Sequence, residues 1–160
     1  MIFVTVGTDQ PFDRMMRVID AWAREHNRHD IFAQIGDGGW RPSFIPHAEF
    51  LEPPAFREKF AAARLIIGHA GMGTILSALH YGKPILVMPK KASLGEQRNE
   101  HQLATAKNMQ ALGHVTVAFD EEELRERLNS LDSLTARPPI SPWASASLTN
   151  GLQQFILNKP

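Results

Sequence analysis

The chain has 160 residues, 43% of them hydrophobic, with 17 basic and 17 acidic side chains, 7 histidines and no cysteine. That length suits one domain whose core needs no covalent staple, and the absence of thiols excludes disulfides, cysteine nucleophiles and Cys-type zinc sites. A formal net charge of zero supplies no electrostatic footprint for nucleic acid or anionic lipid, and no apolar run is long enough to span a bilayer.

The elements follow one another regularly. Ile2 to Val6 is a continuous β-branched and aromatic run closed by Gly7-Thr8, the pattern of a strand covered on both faces. With no basic region before it, MIFVTVGT does not read as a signal peptide. Asp9 as cap, Pro11 in the first turn, and Phe12, Met15, Met16, Ile19 and Trp22 at helical spacing predict a helix to about His26. A second strand is expected over Asp30 to Ile35, then a surface loop (GDGGWRPSFIP), a short third strand over Ala48 to Leu51, and a helix opened by Pro53-Pro54 with Phe56, Phe60 and Ala63 on one face.

Residues 63–89, ARLIIGHAGMGTILSALHYGKPILVMP, read as strand, glycine-rich turn, helix, Gly-Lys-Pro stop and a fifth strand over Ile85 to Met88. A polar loop, KKASLGEQRNEH, leads into a helix carrying Leu103, Ala106, Met109, Ala111 and Leu112 and ending at Gly113, a suitable residue just past a helix. Val115 to Phe119 is a sixth strand, and Asp120 caps EEELRERLNSL, whose acidic first turn suits the helix dipole. The stretch SLTARPPISPW then turns rich in Pro and Ser. The organisation expected is a domain over 1–131, a Pro-rich linker over 132–144 and an amphipathic tail over 145–160 that docks on the domain or on a partner.

Strands of about five residues alternating with helices predict an α/β, doubly wound parallel sheet. Such sheets bind ligands outside the carboxyl ends of the strands, where the strand order reverses. Four loops belong to that edge: Gly7 to Gln10, Gly36 to Trp40, Gly68 to Thr74 and Lys90 to His101.

Several chemistries lack their signatures. The first strand is followed by VGTDQPF rather than GxGxxG, no GxxxxGK[ST] loop occurs, no histidines stand in HExxH spacing, and there is no GxSxG elbow; these disfavour dinucleotide oxidoreductases, P-loop enzymes, zincins and serine hydrolases. The run EEELRER reads as a solvated helix face. The turn GHAGMGT admits two readings, a tight strand-to-helix bend or a cradle of backbone N–H groups for an anion. The second leads to a mononucleotide or nucleotide-sugar site, with His101 and Gln102 as neutral readers of hydroxyls. Gln102 also reads as an ordinary exposed helix residue, and Lys90 and Lys91 either meet an acidic sugar or face solvent.

HAGMGTILSALHYGKPILVMP followed by GEQRNEHQLA closely resembles the C-terminal, donor-binding half of family 28 glycosyltransferases. MIFVTVGT resembles the start of that half in stand-alone members, the small subunits of two-subunit UDP-sugar transferases in dolichol-linked and exopolysaccharide synthesis. The resemblance covers about residues 1 to 130, and the linker and tail lie outside it. It implies a Rossmann-like half of a GT-B glycosyltransferase that binds a UDP-sugar donor for inverting transfer, with no metal and no further cofactor.

It also implies a membrane-anchored partner subunit that supplies the lipid-linked saccharide acceptor site and the general base, so no catalytic residue is assigned to this chain. The expected location is the cytoplasmic membrane face, peripheral through that partner. Residue by residue, His69, Gly71, Gly73 and Thr74 fall at the diphosphate, and Gly7 and Thr8 close over it from the first loop. Glu96, His101 and Gln102 fall at the donor sugar, and the Leu51 region at the uracil. The resemblance departs at Ser77, where relatives carry a glutamate that holds ribose hydroxyls; a serine hydroxyl cannot bind two vicinal hydroxyls as a carboxylate does. The departure motivates a second reading, a non-catalytic nucleotide-sugar-binding or scaffold module of the same fold.

Overall fold

Six short strands, β1 (Ile2–Thr5), β2 (Ile31–Gln34), β3 (His47–Ala48), β4 (Leu65–His69), β5 (Ile85–Met88) and β6 (Thr116–Val117), form one sheet in the order β3-β2-β1-β4-β5-β6. Every pairing is parallel. The computed structural model describes residues 1–137 and 143–157; residues 138–142 of the expected linker and 158–160 of the expected tail lie outside the described residues. The helices are α1 (Asp13–Glu25), α2 (Pro53–Ala62), α3 (Met72–His80), α4 (His101–Ala111), α5 (Glu121–Asn129) and α6 (Ala146–Leu157).

Side-chain alternation along the strands divides the core into two layers. Ile2, Val4, Leu65, Ile67, Leu86 and Met88 face one side, where they meet Met15, Ile19 and Trp22 of α1 and Leu124 and Leu128 of α5. Phe3, Ile66, Ile85 and Val87 face the other, against Phe60 of α2, Ile75 and Leu79 of α3 and Ala106 of α4. Because both faces are covered, the strands have no polar side, which is why they read as continuous apolar runs. Phe3 packs edge-on against Phe56 and Phe60, with ring centroids 5.4 and 6.1 Å apart.

The chain builds outward from β1 to β2 and β3, then returns to lay β4 along the opposite side of β1. The loops leaving β1 and β4 therefore diverge to opposite faces and open a crevice between them. At the amino edge, Arg28 donates to both carboxylate oxygens of Asp30 at 2.9 and 3.0 Å. Arg28 and Arg64 both donate to Asp132, at 2.9 and 2.7 Å. Leu131 is buried and Leu134 packs on the α1/α5 layer.

Some boundaries differ from the sequence expectation. The first helix begins at Asp13, not beside Asp9, with Phe12 at its cap position and no side-chain cap, because residues 7–12 are held as a loop by the β5 side of the molecule. The third strand is His47–Ala48 rather than Ala48 to Leu51: its ladder ends where the Leu51 N–H turns to the Gln34 side chain at 3.1 Å. The sixth strand pairs only at Thr116 and Val117. Asp120 caps α5 as expected, accepting from Glu123 N–H at 2.8 Å, and α4 gives way to Gly113 at φ 72°. No side chain of α6 is buried, and Leu148, Leu152, Phe155 and Ile156 stand exposed on it. Among the described residues no helix is long and apolar enough to cross a membrane.

The stretch read as a surface loop after β2 is pinned by Asp20, a buried carboxylate on α1. It accepts from Ser43 N–H and Oγ at 3.2 Å each and from Phe44 and Ile45 N–H at 2.9 Å each. Burial alone pushes this carboxyl's pKa up, but the donors from Ile45, Phe44 and Ser43 outweigh it and hold it below 3.8. Replacing Asp20 with Ala leaves these amides without an acceptor, and chemical denaturation is expected to show a loss of roughly 3 kcal/mol near neutral pH. Because the folded-state pKa is depressed, the wild-type advantage is complete above the unfolded value of 3.8 and shrinks as pH falls below it. Denaturation curves of both proteins between pH 7 and 3 check the magnitude and the sign.

Candidate functional site

The crevice between β1 and β4 holds a cleft of about 320 Å³. Thr5, Gly7 and Thr8 line it from β1, His69, Gly73, Thr74 and Ser77 line it from β4 and α3, and Gln34 and Phe56 form the third wall. Its floor is the start of α3. Gly71 occupies the cap position with extended backbone and no side chain caps the helix. The first bond into the helix runs from Ile75 N–H to Gly71 O at 3.2 Å, and the amides of Met72, Gly73 and Thr74 have no acceptor among the described residues. Unsatisfied N–H groups aligned with the helix dipole make this end electropositive and fit it for an anion.

The glycines around it do different jobs. A β-carbon on Gly71 would stand 2.2 Å from His69 Nε2, and one on Gly7 2.8 Å from Nε2 and Cε1 of the same ring. The imidazole thus fills the gap between the two exit loops, and Gly7 also adopts φ +84°. At Gly73 a β-carbon would meet nothing within 4 Å; that glycine leaves the approach to the amides open. No glycine of this turn adopts a positive φ: Gly71 is required by the close approach of His69, and Gly73 keeps the helix amides uncovered.

His69 is kept neutral. Burial, followed by the nearby charge of Lys90, lowers its pKa to about 4. The Thr5 backbone works against this lowering, but Nδ1 is buried with no hydrogen-bond partner among the described residues, so the ring has hydrogen-bonding capacity in reserve there. Ser77 is different: its hydroxyl donates back to the Gly73 carbonyl at 2.7 Å, which leaves only acceptor capacity toward the cleft.

Gln34, which belongs to no motif, also lines the cleft. It is buried at the end of β2, where its amide donates to the Gly7 carbonyl at 3.3 Å and its oxygen accepts from Leu51 N–H at 3.1 Å. The one signal for it is a polar residue closing an apolar strand. Through Gln34, Phe56 and Ser77 the cleft continues into a second hollow of about 350 Å³ beside Leu51 and Arg57.

Of the ten sequence candidates, Gly7, Thr8, His69, Gly73, Thr74 and Ser77 line the cleft and Gly71 shapes it. Glu96, in the loop after β5, and His101 and Gln102, at the start of α4, are not among its lining residues. Glu96 accepts from Arg14 at 2.8 and 2.9 Å and from Lys91 N–H at 2.9 Å. Gln102 is buried and accepts from Lys90 N–H at 3.1 Å, which corrects the reading of an exposed helix residue. His101 is exposed and its N–H donates to Asn99 at 3.1 Å. Lys90 is 1% exposed, so the solvent-facing reading fails for it; burying its stem and ammonium is a choice of the tertiary fold that no local pattern announces.

The sequence profile of the glycosyltransferase family 28 C-terminal domain matches residues 1–153. The UDP-N-acetylglucosamine transferase subunit ALG13 of Homo sapiens is 31% identical over 126 residues, 71% of this chain and 10% of that protein. In Rhodospirillum centenum, the UDP-N-acetylglucosamine--N-acetylmuramyl-(pentapeptide) pyrophosphoryl-undecaprenol N-acetylglucosamine transferase is 32% identical over 106 residues, 62% of this chain and 26% of that protein. The chain thus spans well under half the length of these relatives. An NMR solution structure of ALG13 superimposes with a TM-score of 0.58 at 19% identity, covering 94% of this chain and 93% of that one. The crystal structure of Acinetobacter baumannii MurG does so with a TM-score of 0.59 at 19% identity, over 81% of this chain and 40% of that one. The fold is therefore that of one half of a GT-B glycosyltransferase, and with the profile match running over nearly its whole length, the chain belongs to the glycosyltransferase family 28 C-terminal domain family.

Proposed function

We propose that the chain is the donor-binding subunit of an inverting glycosyltransferase that moves a sugar from a UDP-sugar to a lipid-linked acceptor, in polysaccharide or glycolipid synthesis. The observation that carries this reading is the uncapped start of α3 facing the Gly7-Thr8 loop across a cleft at the reversal of strand order. A diphosphate placed there accepts from the free amides of Met72, Gly73 and Thr74, and the helix dipole stabilises the charge that grows on it as the glycosidic bond breaks. Neutral His69 adds hydrogen-bonding capacity without a charge that would over-bind the product. The nucleoside extends into the hollow beside Gln34, Leu51 and Phe56, and the sugar points toward the segment carrying Glu96, His101 and Gln102. No further cofactor enters this scheme.

The acceptor and the general base come from a membrane-anchored partner in this reading. Two observations support it: the relatives of similar sequence include proteins named as transferase subunits and one whose name carries a pyrophosphoryl-undecaprenol acceptor, and α6 leaves an apolar face exposed of the kind that seats in a partner's groove. The chain would then work at the cytoplasmic face of the membrane, held there by that partner.

Ser77 favours a second reading. With its hydroxyl already committed to Gly73 O, it cannot hold the ribose as a carboxylate does, and a non-catalytic nucleotide-sugar-binding module follows. That reading expects Ser77→Glu to strengthen UDP binding while no transfer occurs with any partner; measured transfer excludes it.

The leading reading expects saturable UDP binding by calorimetry when the chain is co-expressed with its partner, and no heat with any UDP-sugar would sink it. Gly73→Val should keep its melting temperature, since a β-carbon there meets nothing within 4 Å, yet weaken UDP binding at least about tenfold by filling the cleft. Gly71→Ala should instead lower both stability and affinity, because its β-carbon collides with His69. A thermal melt and a titration on each variant separate the two effects.

A further inference from the structure

Lys90 leaves β5 just past Pro89 and is buried as deeply as the core. Its ammonium donates to the Gln10 carbonyl and lies 5.9 Å from the centroid of the Phe12 ring. The loops on either side of it are laced together. Arg14 donates to the Pro89 carbonyl at 3.4 Å as well as to Glu96. The Gln10 side-chain amide, with its nitrogen turned to the β5 side, donates to the carbonyls of Gly95 and Glu96 at 3.2 and 3.1 Å.

The charged and titratable groups facing this ammonium are Asp9 from the β1 exit loop, Arg14 from α1, His69 from β4, and Glu96 from the β5 exit loop. Glu96 is already committed to Arg14 and Lys91 N–H, and Asp9 is exposed. Among the described residues no carboxylate stands within ion-pair distance of Lys90. A buried cation without a paired anion is costly, and an apolar side chain of similar volume would fill the space more cheaply. Its field also reaches the cleft, because its charge helps to hold His69 neutral.

We propose that Lys90 is a positioning residue of the donor site, whose ammonium holds the Gly7–Gln10 loop against the bound diphosphate and balances part of its charge. The inference rests on the nucleotide-sugar reading of the cleft. It gives Lys90 a pH signature that a purely structural lysine lacks. Burial lowers its pKa to about 8 against the pull of Asp9 and Glu96. An arriving anion favours the charged form, so donor binding takes up a proton in the alkaline range and weakens as pH rises through that value.

Calorimetry of UDP binding to the full chain co-expressed with its partner, in two buffers of different ionisation enthalpy, measures the uptake. At pH 8.5 the diphosphate is fully ionised and the uracil still mostly protonated, and neutral His69 contributes nothing. If binding raises the Lys90 pKa by two units, uptake is about 0.7 proton per UDP at pH 8.5 and about 0.1 at pH 7. Lys90→Met should abolish the uptake, weaken UDP binding about tenfold at pH 7 and melt no lower than wild type. UDP binding by the wild type without uptake at pH 8.5 overturns the role of Lys90, whether or not the variant folds. Uptake or affinity unchanged in Lys90→Met overturns it as well. Absence of UDP binding by the wild type at both pH values overturns the reading of the cleft itself, and this inference with it.

Discussion

The imidazole of His69 fills the space between the loops that leave β1 and β4, and much of the molecule's carboxyl edge is arranged around that contact. Neither Gly7 nor Gly71 can carry a β-carbon while the ring is there. The ring therefore sets the distance between the first loop and the start of α3, and with it the width of the cleft. Because it is neutral, it can occupy this central place beside a buried ammonium without adding a second uncompensated charge.

The two edges of the sheet are electrostatic opposites. At the amino edge, arginines and aspartates neutralise one another in a network that joins the loops before β2 and β4 to the stretch after α5. At the carboxyl edge Arg14 pairs with Glu96 and Glu121, but among the described residues three helix amides and Nδ1 of a neutral imidazole are left open, and the Lys90 ammonium is bonded to a carbonyl rather than a carboxylate. A parallel sheet makes this separation possible, since it sends every loop of one polarity to the same edge. Electrostatic satisfaction where the fold is stitched, and its lack where a ligand is expected, belong to one topology.

Glu96 and Gln102 link the motif after β5 to the rest of this edge through bonds inside the protein. Glu96 joins α1 to the loop through Arg14 and Lys91, and Gln102 joins α4 to the end of β5 through the Lys90 amide. Such bonds fix the shape of the 90–102 segment. The first loop is tied to that segment through Gln10, so the two are expected to respond to a ligand as one unit. The coupling is short-ranged and made of hydrogen bonds between neighbouring loops, which is how a charge at Lys90 comes to matter at Gly7.

Periodicity and punctuation in the sequence determined a great deal. Continuous runs of β-branched, aromatic and aliphatic residues such as Ile2 to Val6 and Ile85 to Met88 announce strands covered on both faces, Asp120 announces a helix start and Gly113 a helix end, and GHAGMGT marks the turn on which the cleft is built. These signals are local, arising from backbone sterics, capping and the repeat of side chains along one element. What only the tertiary structure decided depends on partners far away in the chain. Asp20 is an ordinary acidic helix residue until residues 43–45 fold over it, and Gln34 closes a strand until Gly7 and Leu51 meet it. Ser77 is an ordinary helix serine in sequence, and that its hydroxyl is already bonded to Gly73 O is a matter of geometry. Lys90 carries a charge that by itself argues for solvent, and it is the packing of the β1 and β5 exit loops together that buries it. A side chain's chemistry is written in the sequence, but its solvation and its neighbours come from the whole fold.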